Sequence, residues 1–198
     1  KETLAAALCD LARLRPYHTL YDPMCGSGTI LIEGAMMVHN IAPGVNRYFS
    51  AERWDVIDEK IWADERNRAR DLVNYDTDFI AYGSDIDEDA IEIAKINAKR
   101  AGVERKIKFE KADIRNFEPK SEKGTVICNP PYGERLLDIE EAQKLYKIMG
   151  EKFIRKHGWS YYVISPSEEF EKEFGRKADK RRKLYNGMIK CQLFMYFK

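Results

Sequence analysis

The chain has 198 residues, of which 44% are hydrophobic and 34% are charged, a composition that fits one globular domain and excludes a disordered tail. Its 34 basic and 33 acidic residues nearly cancel, so it lacks the excess positive charge of proteins that hold nucleic acid by charge alone. The four cysteines form no CxxC pair and the three histidines lie far apart, which predicts no metal site and a cytoplasmic protein. No apolar run approaches roughly 18 residues, which predicts no membrane span.

The first part of the chain predicts one strand between two helices, followed by an insertion. Leucines at helical spacing predict a helix over residues 2–14. A short strand over residues 19–22 leads through a glycine-containing loop into an apolar helix over residues 29–39. Residues 40–76 show no strand pattern and contain a helical stretch of mixed charge over 58–73, so we interpret them as an insertion.

Beyond residue 79, strands and helices alternate, and the last two strands flank Asn186-Gly187, a dipeptide suited to a hairpin turn. This alternation predicts an α/β fold with a mainly parallel, seven-stranded sheet, helices on both faces and a C-terminal antiparallel hairpin. Ligands of such sheets bind at the carboxyl ends of the strands. The predicted strands cover residues 80–84, 106–110, 124–128, 159–164, 183–185 and 188–196, and the predicted helices cover 88–100, 140–156 and 168–174.

A loop with two glycines follows the first predicted strand. Gly26 and Gly28, separated by one residue, would let the backbone approach a ligand at the start of the next helix. Leu31 stands three positions after Gly28, where a dinucleotide site needs a small residue, so a nicotinamide cofactor is disfavoured. A tight turn that only joins strand to helix is the alternative. The motif consists of Asp22, Pro23, Met24, Cys25, Gly26, Ser27, Gly28 and Thr29.

Acidic residues follow the next two strands. The Asp85 carboxylate is placed to accept both hydroxyl groups of a ribose. Asp87 precedes the following helix, and we assign it as the N-cap, which leaves Asp85 for the ligand. Asp113 is a third acid at a strand end. A role for these acids as caps or turn residues only is the alternative, because surface turns often contain Asp.

The most informative motif is Asn129-Pro130-Pro131-Tyr132, which follows the apolar strand over residues 124–128. Pro131 restricts Pro130 to an extended backbone, so the Asn129 amide oxygen and a neighbouring main-chain carbonyl can face one point. Two acceptors facing one point suit the two hydrogens of a planar amino group. Tyr132 offers an aromatic face on which a planar substrate could stack.

These motifs, in this order, resemble class I S-adenosylmethionine-dependent methyltransferases that act on exocyclic or amide nitrogen, which have a Rossmann-like fold. Further segments are similar to the catalytic domain of THUMP-type RNA guanine-N2 methyltransferases. The resemblance covers the whole chain and implies a single methyltransferase domain over residues 1–198, without the N-terminal RNA-binding module of that family. The segments that carry the narrower resemblance are residues 1–7, 42–44, 129–136 and 184–187.

The resemblance implies that S-adenosylmethionine is the cofactor. Residues 22–29 would surround its methionine part, Asp85 would hold its ribose, and Thr3 would reach its carboxylate. The implied adenine contacts are Asp113 at the amino group and Ile86 and Ile114 on the ring faces. The full set of implied cofactor-binding residues is Thr3, Asp22, Pro23, Met24, Cys25, Gly26, Ser27, Gly28, Thr29, Asp85, Ile86, Asp113, Ile114 and Asn129.

The resemblance also implies the substrate and the catalytic residues, Asn129, Pro130, Pro131 and Tyr132. Asn129 and Pro130 would bind the N2 amino group of guanine, and Tyr132 would stack on the base. The expected partner is RNA, with ribosomal RNA of the large subunit ahead of transfer RNA, and we expect the domain to be monomeric. Methylation of adenine N6 in DNA or of a glutamine amide in protein, and an inactive RNA-binding relative, are the alternatives.

Two groups of basic residues are candidates for guiding RNA. Six cations among residues 176–183 stand just before the predicted hairpin, and a solvated helix end is the competing interpretation. Arginines mixed with acids and aromatic residues in the insertion could form a substrate lid or a structural flap. Cys25 and Cys128 adjoin the motifs, and we predict that they pack rather than act as nucleophiles, because no base stands nearby in the sequence.

Overall fold

The structure is a computed structural model that describes residues 1–133 and 136–197, with the backbone alone for 136–138. Glu134 and Arg135, part of the segment 129–136 that carries the resemblance, therefore lie outside the described residues. In chain order the elements are α1 (Glu2–Ala12), β1 (Thr19–Asp22), α2 (Thr29–Val38), α3 (Glu59–Asp71), β2 (Ile80–Asp85), α4 (Glu88–Arg100), β3 (Ile107–Lys111), β4 (Gly124–Cys128), α5 (Leu136–Lys152), β5 (Trp159–Ser165), α6 (Phe170–Phe174), β6 (Lys180–Asn186) and β7 (Ile189–Tyr196).

The seven strands form one sheet in the order β3-β2-β1-β4-β5-β7-β6. The first five strands of this order pair in parallel, and β7 runs antiparallel to both β5 and β6. The predicted fold class, a mainly parallel sheet that ends in an antiparallel hairpin, is confirmed. Because the chain proceeds outward in both directions from β1, the strand order reverses between β1 and β4, where such sheets bind ligands.

Each face of the sheet is covered by a hydrophobic core. One cluster contains buried residues of α1, α2 and α4, such as Leu8, Leu31 and Ile91. The other lies under α5 and α6 and is rich in aromatic residues, such as Phe153, whose ring stacks on Tyr161 at 5.1 Å between centroids. Burying an aromatic side chain of this size removes much apolar surface from water, so these contacts hold the helices to the sheet and fix its edges.

Segment 40–76 leaves the sheet between α2 and β2 and contains no strand and no buried residue. Inside it, the Arg66 guanidinium donates to the Glu52 carboxylate and contacts the Trp62 ring. Its end is tied to the domain because the Asn74 N–H donates to the His39 carbonyl at 2.9 Å. The segment therefore packs mainly on itself, while the partly buried Ile41 at its start packs against the first core cluster.

Several predicted boundaries need correction. Helix α5 begins at Leu136 and ends at Lys152, four residues earlier at both ends than the predicted range of 140–156. The hairpin turn is Gly187-Met188 rather than Asn186-Gly187, because Asn186 still pairs with Ile189. Gly187 has φ +64°, which glycine adopts without strain.

The interpretation of the basic residues before the hairpin as a solvated helix end is wrong. Helix α6 ends at Phe174, and most of the basic residues belong to the edge strand β6. Arg181 pairs with Glu171, and the Arg176 guanidinium lies 4.9 Å from the Tyr196 ring centroid. Two of the six cations therefore stabilise the fold instead of facing solvent as an array.

None of the helices in the described ranges is long and apolar enough to cross a membrane. The same ranges contain no cluster of three or more His, Cys, Asp or Glu side chains that could hold a metal ion.

Candidate active site

A cavity of about 250 Å³ opens at the carboxyl ends of β1 and β4. It lies at the reversal of strand order, because β1 and β4 are neighbours whose following segments turn to opposite faces of the sheet. The predicted glycine loop and Asn129 meet there, and the start of α1 covers one side. The lining residues are Lys1, Leu4, Ala5, Leu8, Asp22, Met24, Cys25, Gly26, Ser27, Thr29, Ile30 and Asn129.

The two glycines of the loop have different functions. Both have positive φ, +50° at Gly26 and +79° at Gly28. A Cβ at Gly28 would lie 3.0 Å from the Phe109 ring and 3.1 Å from the Ala94 Cβ, so this glycine permits α2 to pack on its neighbours. A Cβ at Gly26 would meet nothing within 4 Å. Gly26 therefore leaves open space on the side of the cavity, and the loop fits a ligand that approaches the backbone.

Leu31 explains why this loop does not follow the dinucleotide pattern. Its side chain is fully buried against Gly83 of β2, where an added Cβ would lie 2.5 Å from Leu31 Cδ1. The strand supplies the small residue here and the helix supplies the large one. The close helix–strand contact is kept without a third glycine in the loop.

Asp85 holds the glycine loop in place. The Gly26 N–H donates to one carboxylate oxygen of Asp85 at 2.8 Å, and the Asp87 N–H donates to the other at 3.1 Å. A carboxylate offers about four acceptor positions, so Asp85 retains capacity for hydroxyl donors. Asp87 caps α4 through the Asp89 N–H at 2.9 Å, which confirms the predicted N-cap.

Asp22 is the buried acid of the site. Its side chain is 1% exposed and accepts a hydrogen bond from the Met24 N–H at 3.2 Å. Burial, reinforced by the charge of Asp85, raises the pKa of Asp22 to about 7 despite hydrogen bonds from Met24 and the Cys128 thiol. Burial also raises the pKa values of Cys25 and Cys128, which keeps both thiols protonated and fits the predicted packing role.

The motif over residues 129–132 forms an unexpected hydrogen-bond chain. The Tyr132 hydroxyl donates to Asn129 Oδ1 at 2.7 Å, and Asn186 Nδ2 donates to the Tyr132 hydroxyl at 3.2 Å. The acceptor that the sequence analysis assigned to a substrate amino group is thus engaged by Tyr132. The sequence did not single out Asn186. Residues 184–187 carry part of the family resemblance, but the resemblance implied no role for that segment.

Other predicted residues lie outside the cavity lining. Lys1, at the N-cap of α1, and Leu4, Ala5 and Leu8 of α1 line the cavity, whereas the exposed Thr3 does not. Ile114 is buried in the aromatic-rich core, and Ile86 is 64% exposed. One side chain is buried and the other is exposed, so the two do not form a slot for an adenine ring in this structure.

Asp113 lies at the same sheet edge as Asp85, because the Ala112 N–H donates to the Asp85 carbonyl at 2.9 Å. Its carboxylate is engaged by Arg115, through the backbone N–H at 2.8 Å and the guanidinium at 2.5 Å. The Arg115 hydrogen bonds lower the pKa of Asp113. An adenine amino group that binds Asp113 would have to share this carboxylate with Arg115.

Comparison with known proteins assigns the chain to a family. The sequence pattern of the RMKL-like methyltransferase domain matches residues 1–194. YpsC of Bacillus subtilis, provisionally named an RNA methyltransferase, is 43% identical over 197 residues. The match covers 100% of this chain and 51% of YpsC. The ribosomal RNA large subunit methyltransferase K/L of Shewanella sp. strain W3-18-1 is 40% identical over 90% of this chain and 26% of its own length. The chain therefore spans about half or less of these relatives.

Solved structures agree on the fold and the cofactor. A methyltransferase described as SMU.472, crystallised with S-adenosylhomocysteine, superimposes with a TM-score of 0.92 at 43% identity over the whole chain and 52% of its own. A Listeria monocytogenes protein described as an N6-adenine-specific DNA methylase gives the same TM-score at 47% identity, over the whole chain and 51% of its own. The sheet is that of class I methyltransferases, and S-adenosylmethionine is the cofactor that the loop and its cavity fit.

Proposed function

The chain belongs to the family of RMKL-like methyltransferase domains, and from this premise we propose that it methylates the exocyclic N2 amino group of guanine in RNA. We propose ribosomal RNA of the large subunit as the first substrate to test and transfer RNA as the second. The similarity to YpsC and to the Shewanella enzyme supports an RNA substrate, since both are named for RNA methylation.

One observation carries this proposal. Asn129 lines the cavity at the end of β4, and its Oδ1 accepts a hydrogen bond at 2.7 Å from the Tyr132 hydroxyl. An amide oxygen has two acceptor positions, so Asn129 Oδ1 can accept an amino hydrogen beside the Tyr132 hydroxyl. The main-chain carbonyl of Pro130 is the second acceptor that we propose, because proline contributes an acceptor and no donor.

These acceptors would orient the nucleophile. When bound, S-adenosylmethionine would supply a methyl group on a positively charged sulfur, which becomes neutral as its bond to that methyl group breaks. The guanine nitrogen that receives the methyl group would release one of its amino protons to solvent. Asn129 and Pro130 would hold the two amino hydrogens and so fix the direction of the nitrogen lone pair. Tyr132 would contact the base, which has to leave its stack at a cost of a few kcal/mol if the guanine is paired.

We propose that the first half of the site holds the cofactor. Residues 22–29 would surround its methionine part, with Gly26 facing the open space, and Asp85 would hold the ribose with its remaining acceptor positions. Asp113, Ile86 and Ile114 are proposed for the adenine, and Thr3 for the carboxylate. The exposure of Ile86 and the pairing of Asp113 with Arg115 mean that the adenine contacts would form on binding.

The experiment that tests the proposal is transfer of labelled methyl from S-adenosylmethionine to protein-free large-subunit ribosomal RNA, followed by nucleoside analysis. Transfer RNA, unmethylated DNA and a glutamine-containing peptide serve as parallel acceptors. We expect label in N2-methylguanosine. Label confined to N6-methyladenine or to the peptide contradicts the guanine assignment, and a chain that binds RNA and cofactor but labels nothing is an inactive relative.

Methylation of adenine N6 in DNA is the second candidate. The description of the Listeria structure favours it, and the acceptors of Asn129 and Pro130 suit any planar amino group. The base identity then depends on contacts to the remaining edge of the base, and the same nucleoside analysis separates the two candidates.

A further inference from the structure

Asn186 connects the C-terminal hairpin to the catalytic motif. It is the last residue of β6, 54 positions away from Tyr132, and its Nδ2 donates to the Tyr132 hydroxyl at 3.2 Å. The same hydroxyl donates to Asn129 Oδ1 at 2.7 Å. Three side chains from two distant segments thus form one hydrogen-bond chain that ends on the proposed substrate acceptor.

The strand directions explain how the hairpin reaches this point. β6 is antiparallel to β7, and β7 is antiparallel to β5, so β6 runs in the same direction as β4. The carboxyl end of β6 therefore lies at the edge of the sheet that carries Asn129. A Cβ on Gly187 would lie 3.8 Å from the Nζ of Lys1, a residue that lines the cofactor cavity. The tip of the hairpin is thus next to the cavity.

The donors and acceptors of the chain fix the direction of the Tyr132 proton. The NH₂ group of Asn186 can only donate, so the hydroxyl oxygen accepts from it and the single hydroxyl proton points to Asn129 Oδ1. Burial raises the pKa of Tyr132, so the hydroxyl keeps this proton near neutral pH. The Tyr132 ring packs against the same core cluster as Leu184 of β6, which limits its movement.

We propose that Asn186 is a positioning residue, which acts through the Tyr132 hydroxyl to hold the Asn129 carboxamide in the orientation that accepts an amino hydrogen. The Tyr132 proton occupies one of the two acceptor positions of Asn129 Oδ1 and leaves the other for the substrate amino group. This inference rests on the proposed function, because it concerns the acceptor for the methylated nitrogen. Asn186 touches neither substrate nor cofactor in this account.

A double-mutant cycle tests the inference with Asn186→Ala, Tyr132→Phe and the combined variant. Tyr132→Phe keeps the ring and removes only the hydroxyl. We expect Asn186→Ala to lower kcat about fivefold to tenfold in the wild-type background, the effect of one hydrogen bond, with S-adenosylmethionine affinity unchanged. In the Tyr132→Phe background the same change should lower kcat less than about twofold, since the contact is already lost.

Met188→Ala is the matched control, because Met188 lies in the same hairpin turn and is 97% exposed. It should leave kcat and the melting temperature unchanged. An equal loss of kcat from Asn186→Ala in both backgrounds would overturn the inference, since Asn186 would then act without Tyr132. An unchanged kcat in the wild-type background would also overturn it, since Asn186 would then have no positioning role.

A spectroscopic measurement keeps the test independent of the substrate. The side-chain amide resonances of Asn186 in ¹⁵N-labelled protein should shift in Tyr132→Phe and stay in place in Met188→Ala. If the wild-type chain methylates no guanine, the proposed function fails, while these resonances still decide whether Asn186 holds Tyr132. Resonances indifferent to Tyr132→Phe would overturn the positioning role.

Discussion

The two halves of the candidate active site are built from different kinds of contact. In the half formed by β1 and β2, carboxylates bind backbone N–H groups, as Asp85 does with Gly26 and Asp22 does with Met24. In the half formed by β4 and the hairpin, side chains bind side chains, through Tyr132, Asn129 and Asn186. The first arrangement fixes a loop, whereas the second fixes the direction of individual donors and acceptors. Substitutions in the first half should therefore change cofactor affinity, and those in the second should change turnover.

Asn129→Ala should have the largest effect. Removing the proposed acceptor for the reacting nitrogen should lower kcat by about 100-fold or more, by analogy with the loss of one positioned group in other active sites. The cofactor affinity, measured by calorimetry, should change less than about threefold. Asn67→Ala in the exposed α3 is the matched control and should leave kcat unchanged. A large fall in cofactor affinity with Asn129→Ala would break the division between the halves.

Asp85→Ala should act on the other half. It removes the acceptor of the Gly26 N–H and the proposed ribose contact, so we expect the dissociation constant for S-adenosylmethionine to rise about 10-fold to 100-fold. Asp87→Ala, two residues away, should cost about 1 kcal/mol of stability as a lost N-cap and leave the affinity unchanged. Equal effects of the two variants on calorimetric affinity would contradict the assignment of Asp85.

Gly28→Ala sharpens the role of the loop conformation. Its φ of +79° and the contacts with Phe109 and Ala94 should together lower the free energy of unfolding by about 2–3 kcal/mol. Gly175 has a similar φ of +81° and open space around it, so Gly175→Ala should cost only about 1 kcal/mol. Urea unfolding of the two variants measures the difference, and equal losses would show that packing at Gly28 is unimportant.

Asp22 should also make the stability of the folded chain depend on pH. Its pKa is raised from 3.8 to about 7 in the folded state, so between about pH 4 and pH 7 the folded chain binds more protons than the unfolded chain. The free energy of unfolding should therefore fall as pH rises through this window, with a contribution of at most about 1.4 kcal/mol per pH unit. Asp22→Asn should remove this contribution, whereas the exposed Asp87→Asn should retain it.

The same contrast explains which parts of the site the sequence predicts. β1, α4 and β4 have the predicted bounds because short apolar patterns and local caps determine them, and Asp87 caps α4 as expected. The loop residues and Asn129 meet at one cavity because each follows a strand of a parallel sheet. These predictions depend on local pattern and on one rule of sheet geometry.

The unpredicted parts depend on contacts between distant residues. The bond between Asn186 and Tyr132 requires that β7 lie between β5 and β6, which sets the direction of β6. The pairing of Asp113 with Arg115 depends on a side-chain conformation that spacing does not define. Thr3 misses the cavity because the rotation of α1 places Leu4, Ala5 and Leu8 there instead.

The most direct test of the division between the halves measures cofactor affinity and methyl transfer together for Asp85→Ala and Asn129→Ala. Methyl transfer is measured at saturating S-adenosylmethionine with ribosomal RNA as acceptor. We expect Asp85→Ala to lose affinity and to regain much of its turnover at saturation, whereas Asn129→Ala should keep its affinity and stay about 100-fold slower or more at any cofactor concentration. If Asn129→Ala binds the cofactor weakly and excess cofactor restores its turnover, the division between the two halves is contradicted.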